Sequence, residues 1–392
     1  MMKGDFPVGE FAGRKTPFYF YDLPLLERTL DAVRSELKGR PRWHVHYAVK
    51  ANANPEILRR IAAAGFGADC VSGGEVRMAY EAGFDPSGIV YAGVGKSDDE
   101  IAYALELGIS RFNVESSAEL LVIEEIAAKM GKVAPVSLRV NPDIGAHTHA
   151  NITTGLAENK FGIYHETLPE VIRLALGCPH VQYCGLHFHI GSQILDMSDF
   201  VALCNRINDL TARLERMRLP VGDLNVGGGL GINYEHPNHL PMADFKAYFD
   251  TFKRHLHLRT GQDLHFEPGR SLVAPCGTLI CRVLYVKQGT TRQFAIVDAS
   301  MTELIRPALY HAYHRIENLT SGEPEQLYDV VGPVCESSDV FAKGVSLDAC
   351  RRGDFIAIRS AGAYGESMAS TYNGRPLPGA YFGEVPSPRE GI

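Results

Sequence analysis

Between residues 43 and 269 the chain alternates eight short apolar or β-prone runs with helix-like text, and this alternation constrains the fold more than any other feature. The runs are WHVHYAVK, GADCVS, GIVYAGV, SRFNVES, PVSLRV, VQYCGLHFH, GDLNVGG and DLHFEPG. Between them lie segments such as PEILRRIAAA, SDDEIAYALEL, SAELLVIEEIAAKM and DFVALCNRINDLTARLERM, and LPLLERTLDAVRSELK precedes the first run. Strands alternating with helices imply parallel β/α units, because a parallel neighbour needs a crossover long enough for a helix. Eight units match an α/β fold of the eight-stranded β/α (TIM) barrel type, with a doubly wound sheet as the competing architecture.

After about residue 270 the text becomes GTLICRVLYVKQG, RQFAIVDAS, LYDVVGPVC and RRGDFIAIRSAGAY, β-rich runs separated by turns. This is a second, mainly β domain. FYFYDL near the N-terminus is also strand-like and is expected to join it, giving a discontinuous β domain of residues 1–26 and 271–392 around a barrel of residues 27–270. The Pro- and Gly-rich NGRPLPGAYFGEVPSPREGI reads as an irregular, peripheral C-terminal surface.

Composition removes several classes of function. Lys and Arg number 39 against 46 Asp and Glu, a net charge of −7 with no basic footprint for nucleic acid. MMKGDFPVGEFAGRKTPFYF lacks both an apolar stretch with a cleavage site and a membrane anchor, so a cytoplasmic location without membrane partners is expected. The eight cysteines form no CxxC pair, which disfavours disulfides and structural zinc. The pairs His147/His149 and His187/His189 lack a carboxylate or thiolate shell, so no metal is expected. The 39 glycines, about a tenth of the chain, should mark turns and close backbone approaches.

Barrel active sites lie at the C-terminal strand ends. The first strand runs directly into Lys50, which is either a solvated charge or an amine placed to form a Schiff base with an aldehyde cofactor. Such a site also needs phosphate donors, a partner for a ring nitrogen and a group against the ring. Gly227, Gly228 and Gly229 in LNVGGGLG let a phosphate approach backbone N–H groups, or make a tight turn. HFEPGRS brings Glu267, Gly269 and Arg270 to the same face, as a ring-nitrogen partner with an anion-binding fork or as a surface ion pair. In GLHFHIGSQ, His187 and His189 share one side of a strand. His189 can lie flat on a ring while Ser192 donates to phosphate, or it is a hydrogen-bonded core histidine. Asp69 and Arg139 also end strands, where supporting roles suit them.

Together YAVKAN, GADCVSGGE, GLHFHIGSQ, NVGGGLG, FEPGRS, GPVCESSD and GAYG resemble the barrel-fold pyridoxal-phosphate decarboxylases of basic amino acids, over nearly the whole chain. Two longer segments, RVNPDIGAHTHANITTGLAENKFGI and DASMTELIRPALYHAYH, resemble the diaminopimelate branch rather than the ornithine or arginine members. The resemblance implies a barrel with a β domain, pyridoxal 5'-phosphate as cofactor, and a homodimer with active sites shared between subunits. It implies that Lys50 carries the cofactor, His189 stacks on it and Glu267 pairs with its pyridine nitrogen. Ser192, Gly228, Gly229, Gly269, Arg270 and Tyr364 match the phosphate side, with Arg270 and Tyr364 also near substrate. Arg306 and Tyr310 match contacts to a distal carboxylate. Cys335 and Glu336 match the segment contributed across the dimer, Glu336 facing a distal ammonium and Cys335 donating or positioning a proton, although a loop cysteine is otherwise a small hydrophobe.

The substrate so implied is meso-2,6-diaminopimelate, decarboxylated at its D centre to L-lysine and carbon dioxide through a Schiff base between its amine and the cofactor. Ornithine and lysine lack the distal carboxylate and leave Arg306 without a partner, a loss of roughly 1 to 3 kcal/mol. Competing readings are a decarboxylase of ornithine, arginine or a carboxylated polyamine, a racemase using the same cofactor, and a binding-only cofactor carrier.

Overall fold

All eight runs form strands: Trp43–Ala48, Gly67–Cys70, Ile89–Tyr91, Arg111–Val114, Ala134–Asn141, Val181–Phe188, Asp223–Asn225 and Leu264–Phe266. Each pairs in parallel with the next, and Leu264–Phe266 pairs in parallel with Trp43–Ala48 to close the ring. The fold is therefore the eight-stranded β/α barrel and not the doubly wound sheet. A two-residue strand, Ile163–Tyr164, pairs with the C-terminal end of Ala134–Asn141. The computed structural model describes Gly4 and residues 6–142 and 160–383. The His147/His149 pair, most of RVNPDIGAHTHANITTGLAENKFGI and the last residues of the C-terminal tail lie outside the described residues.

Local chemistry sets where the helices begin and end. Asn54 caps the Pro55–Ala63 helix by accepting from the Glu56 N–H, with Pro55 at the first helical position. Ser97 and Glu100 form a reciprocal capping box at the start of Asp98–Leu107. Gly108 (φ 73°) and Gly131 (φ 64°) end their helices in the left-handed conformation that glycine adopts without a Cβ penalty. Outside the ring, Tyr248, Phe249 and Phe252 of the Phe245–His255 helix pack on Phe266 of the last strand, with Phe249 and Phe266 centroids 4.9 Å apart. Covered on both faces, barrel strands read as near-continuous apolar runs, which is why they stand out in the sequence.

The chain divides into two compact units. One, the barrel unit, comprises Leu30–Gly231 and Asp244–Gly269; the other draws on Met1–Thr29, Ile232–Ala243 and Arg270–Ile392. The Ile232–Ala243 stretch thus belongs to the β unit, although the sequence reading keeps it within the barrel. In the β unit, the long strand Gly277–Gln288 pairs antiparallel with Phe18–Asp22, Gln293–Val297 and Phe355–Ile358. The N-terminal segment joins the β domain as its FYFYDL text suggests, and Phe11, Phe18, Phe20, Ile280 and Phe355 share one apolar cluster.

The tail corrects the sequence reading. Gly379–Gly383, expected to be irregular, is a strand that pairs in parallel with Phe18–Asp22. Tyr381 sits edge-on to Phe11 and Phe18, and Phe382 stacks on Tyr21 at 5.4 Å. The aromatic pair supplies packing that outweighs the flanking Pro and Gly. Among the described residues, no helix is long and apolar enough to cross a membrane.

Candidate active site

In the barrel unit the strand Trp43–Ala48 ends in a single 3₁₀ turn, Val49–Ala51, that carries Lys50. Its side chain is 41% exposed, and Nζ lies 3.4 Å from Oδ2 of Asp69, a buried residue near the end of the Gly67–Cys70 strand. Burial, then the negative charge of Glu267, pushes the Asp69 carboxyl up from its ordinary value, with Lys50 opposing. Asp69 is accordingly a weak counter-charge for the amine. Its Oδ1 is buried and has no hydrogen-bond partner among the described residues.

Glu267 directly follows the Leu264–Phe266 strand and is 6% exposed. Its carboxylate draws three nitrogens: His187 Nε2 at 3.0 Å on Oε2, with Asn225 Nδ2 at 2.6 Å and Asn113 Nδ2 at 3.2 Å on Oε1. Burial raises the carboxyl's pKa, but the charge and hydrogen bond of His187, the Lys50 charge and the Asn225 bond outweigh it and hold the group below the usual carboxylate range. Glu267 is therefore an ionised acceptor. In the sequence His187 stands out only as sharing a strand side with His189, and Asn113 and Asn225 do not stand out at all. Asn113 and Asn225 each stand before a Val at a strand's end, in RFNV and LNV, and that shared placement was the available signal.

His189 lies just past the Val181–Phe188 strand, half-buried, and the Gly228 N–H points to its Nδ1 at 3.4 Å. Nδ1 thus accepts, which puts the proton on Nε2. Burial, followed by the Arg139 and Lys50 charges, keeps this imidazole well below its ordinary pKa and neutral. Arg139 is committed elsewhere: Nη1 pairs with Glu115 Oε1 at 2.7 Å and the guanidinium lies over Phe161, so it supports the site through charge. Ser192 follows in the next loop, half-buried.

The glycines at these strand ends answer first to the barrel itself. A Cβ on Gly228 would come within 2.1 Å of the Glu267 carbonyl oxygen, and one on Gly269 within 2.9 Å of Ala48 Cβ. The Glu267 backbone at Gly228, and the Ala48 and Ala51 methyl groups at Gly269, crowd out a side chain whether or not an anion is bound. Gly229, at φ 107°, also needs glycine's freedom.

The β unit holds a second group. Arg270 and Arg306, 7% and 6% exposed, both donate through Nη1 to the Tyr234 hydroxyl oxygen, at 2.8 and 3.0 Å. The Arg270 guanidinium lies 4.9 Å over the Tyr364 ring. Arg306 Nη1 also reaches His314 Nε2 at 2.8 Å, and His314 Nδ1 meets the Arg359 carbonyl at 2.8 Å. Since a carbonyl only accepts, His314 carries its proton on Nδ1 and receives from Arg306 on Nε2. Burial and then the Arg306 charge hold its pKa at about 3. Tyr310 closes the short Arg306–Tyr310 helix. Tyr234 and His314 escaped the sequence reading because nothing local marks them. Cys335 and Glu336 are exposed; the Cys335 N–H donates to Asn373 Oδ1 at 3.2 Å, and Glu336 accepts from the Tyr372 hydroxyl at 2.8 Å.

A pyridoxal cofactor fits the barrel group by the chemistry of its donors: an exposed primary amine, an ionised acceptor for a protonated ring nitrogen and a neutral imidazole. Comparison with known proteins agrees. Residues 23–274 match the family "Pyridoxal-dependent decarboxylase, pyridoxal binding domain". The chain is 60% identical to diaminopimelate decarboxylase of Bacteroides thetaiotaomicron, over 97% of this chain and 98% of that one. It is 42% identical to the Zymomonas mobilis enzyme of the same name, over 95% and 89%. The crystal structure of Helicobacter pylori diaminopimelate decarboxylase complexed with L-lysine superposes with a TM-score of 0.90 at 41% identity, covering 96% of this chain and 94% of that one. The chain belongs to the pyridoxal-dependent decarboxylases and, within them, to the diaminopimelate decarboxylases.

Proposed function

We propose that the protein decarboxylates meso-2,6-diaminopimelate at its D centre, releasing L-lysine and carbon dioxide. One observation carries the substrate choice. Arg306 is buried, and among the described residues it pairs with a tyrosine and a histidine but with no carboxylate. A buried guanidinium without a carboxylate is suited to take one from a ligand, and a carboxylate at the far end separates diaminopimelate from ornithine or arginine.

When bound, pyridoxal phosphate supplies the electron sink that accepts the pair left behind as carbon dioxide departs. Lys50 Nζ is the amine for covalent attachment, exchanged for the substrate amine and restored on release. Glu267 keeps a proton at the pyridine nitrogen, and its three nitrogen contacts leave it unfit to act as an acid itself. His189 offers a flat, neutral ring face. Ser192, the backbone at Gly228, Gly229 and Gly269, Arg270 and Tyr364 bind phosphate, Arg270 and Tyr364 also meet the substrate, and Asp69 and Arg139 shape the local field. Arg306 and Tyr310 take the distal carboxylate, Glu336 takes the distal ammonium, and the Cys335 thiol delivers or positions the proton that replaces carbon dioxide.

The working assembly is a cytoplasmic homodimer in which Cys335 and Glu336 serve the partner's site. Their exposure supports this, because a segment must be accessible to act across subunits. Mixing a Lys50→Ala chain with a Cys335→Ala chain should restore part of the activity only if sites are shared. The function itself is tested by offering diaminopimelate, ornithine, lysine and arginine side by side with product identification. Lysine and carbon dioxide from diaminopimelate are expected; preference for ornithine would overturn the assignment.

A further inference from the structure

Tyr234 lies in the β unit and is 9% exposed. Among the described residues its hydroxyl oxygen makes two hydrogen bonds, and in both it accepts, from Arg270 and from Arg306. A neutral phenol can accept twice, but its own proton then needs a third direction inside a buried site beside two cations. A phenolate meets the same geometry with nothing left over and neutralises one of the two charges.

Behind it, His314 takes a second bond from the same Arg306 nitrogen. The bond from Nδ1–H to the Arg359 carbonyl fixes the tautomer, so Nε2 is an obligatory acceptor for Arg306. The His314 ring also stands edge-on to the Tyr234 ring, 5.1 Å between centroids at 80°. Arg306 is therefore held by two acceptors on one nitrogen, leaving the rest of its fork to meet a carboxylate.

We propose that Tyr234, ionised as a phenolate, is the shared counter-ion that aligns Arg270 and Arg306, and that His314 fixes the roll of Arg306, so that these two positioning residues set how tightly the enzyme reads carboxylate-bearing ligands. This rests on the reading of Arg306 as the distal-carboxylate contact. Ionisation releases the phenol proton to solvent and no other bond changes. Burial opposes ionisation, but the Arg270 and Arg306 charges overcome it and hold the phenol below its ordinary pKa. A phenolate keeps two like-charged guanidiniums together in the free enzyme and shares them with an incoming carboxylate.

The first measurement needs no variant. The ultraviolet difference spectrum of native minus denatured protein at neutral pH should show one tyrosinate, because an ordinary tyrosine titrates near pH 10. Tyr234→Phe should abolish that band, raise KM for diaminopimelate about tenfold and leave kcat within about twofold. L-Lysine, which keeps one carboxylate, should inhibit the variant about tenfold more weakly, whereas cadaverine, which has none, should inhibit both proteins equally. For the second residue, His314→Gln, whose amide can donate to the carbonyl and accept from Arg306, should keep KM within about threefold, and His314→Leu should raise it about tenfold. Absence of the tyrosinate band, or equal weakening of lysine and cadaverine, would overturn the proposal. If wild-type enzyme makes no lysine from diaminopimelate, the assigned function fails instead, and the band still decides the state of Tyr234.

Discussion

The two mouths of the barrel carry similar residues and differ in chemistry. At the C-terminal mouth stand Lys50, Asp69, His187, His189 and Glu267; at the N-terminal mouth stand His44, His46, Arg111, Asp223, Asp263 and His265. The same strands serve both, for Trp43–Ala48 holds His44 and His46 and leads to Lys50, while Leu264–Phe266 holds His265 and leads to Glu267. A cavity of about 1000 Å³ opens at the N-terminal mouth, lined among others by His44, His46, Arg111, Asp263 and His265. A cavity and clustered histidines together would point to the wrong end. At the N-terminal mouth His46 is satisfied at both ring nitrogens. His46 Nδ1–H donates to the Gly88 carbonyl at 2.9 Å, so Nε2 accepts from His265 Nδ1–H at 2.9 Å. Gly67 makes room, since a Cβ there would meet the Gly88 oxygen at 2.2 Å. The C-terminal mouth instead holds an exposed amine with a weak counter-charge and a carboxylate kept ionised. Reactive capacity, rather than polarity, distinguishes the ends.

The comparison is broken most directly at Lys50. Lys50→Ala should leave the fold intact and lower turnover by about 10⁴-fold or more, with loss of the cofactor's lysine-linked absorbance. A reducible adduct on another lysine would move the reactive mouth elsewhere. Next in size, Glu267→Gln removes the charge proposed to keep the ring nitrogen protonated and should cost about 10²- to 10³-fold in kcat, with the cofactor still attached. A loss below about threefold would show that ring-nitrogen protonation does not depend on this carboxylate.

The barrel and its strand-end lysine are legible because both rest on local text: runs buried on two faces, and a charge placed where a run stops. The supports are less legible because they are defined by meetings across the chain. Glu267 is supported from Asn113, 154 residues away, and His187, 80 residues away. Tyr234 meets Arg270 and Arg306 across 36 and 72 residues from a segment without periodicity. The strand Val340–Asp348 is hard to read because VFAKGVSLD mixes buried, half-buried and exposed positions and lacks a clean alternation. Gly379–Gly383 was misread because its pairing comes from Phe18–Asp22 at the other end of the chain.

The N-terminal mouth should show itself in stability rather than rate. His46 is buried and neutral, with its pKa lowered to about 3 by burial and then by His265. An unfolded histidine titrates near 6.5, so below that pH the unfolded chain binds more protons, and stability is present above 6.5 and falls as pH drops towards 3. From neutrality to pH 5 this one group should remove about 2 kcal/mol, read as a shift of denaturant midpoints. His46→Gln should flatten that slope, whereas Lys50→Ala should not; an unchanged slope in His46→Gln would place the acid sensitivity elsewhere.

The smallest effect is the sharpest control. Asp223 pairs with Arg111 at 3.3 Å, stands 3.9 Å from His265 Nε2, and accepts from the Asp263 N–H at 3.1 Å through its other oxygen. Asp223→Asn preserves an acceptor for that N–H, removes the charge and replaces the oxygen that accepts from Arg111 with an amide nitrogen. Because the ion pair is partly exposed, it should contribute no more than about 1 kcal/mol to stability. The rate with diaminopimelate should stay within about twofold, against the hundredfold or greater loss expected when Glu267 undergoes the equivalent change of carboxylate to amide. A tenfold fall in kcat for Asp223→Asn at unchanged stability would mean that charge at one mouth governs chemistry at the other, and the division between an architectural end and a reactive end would have to be abandoned.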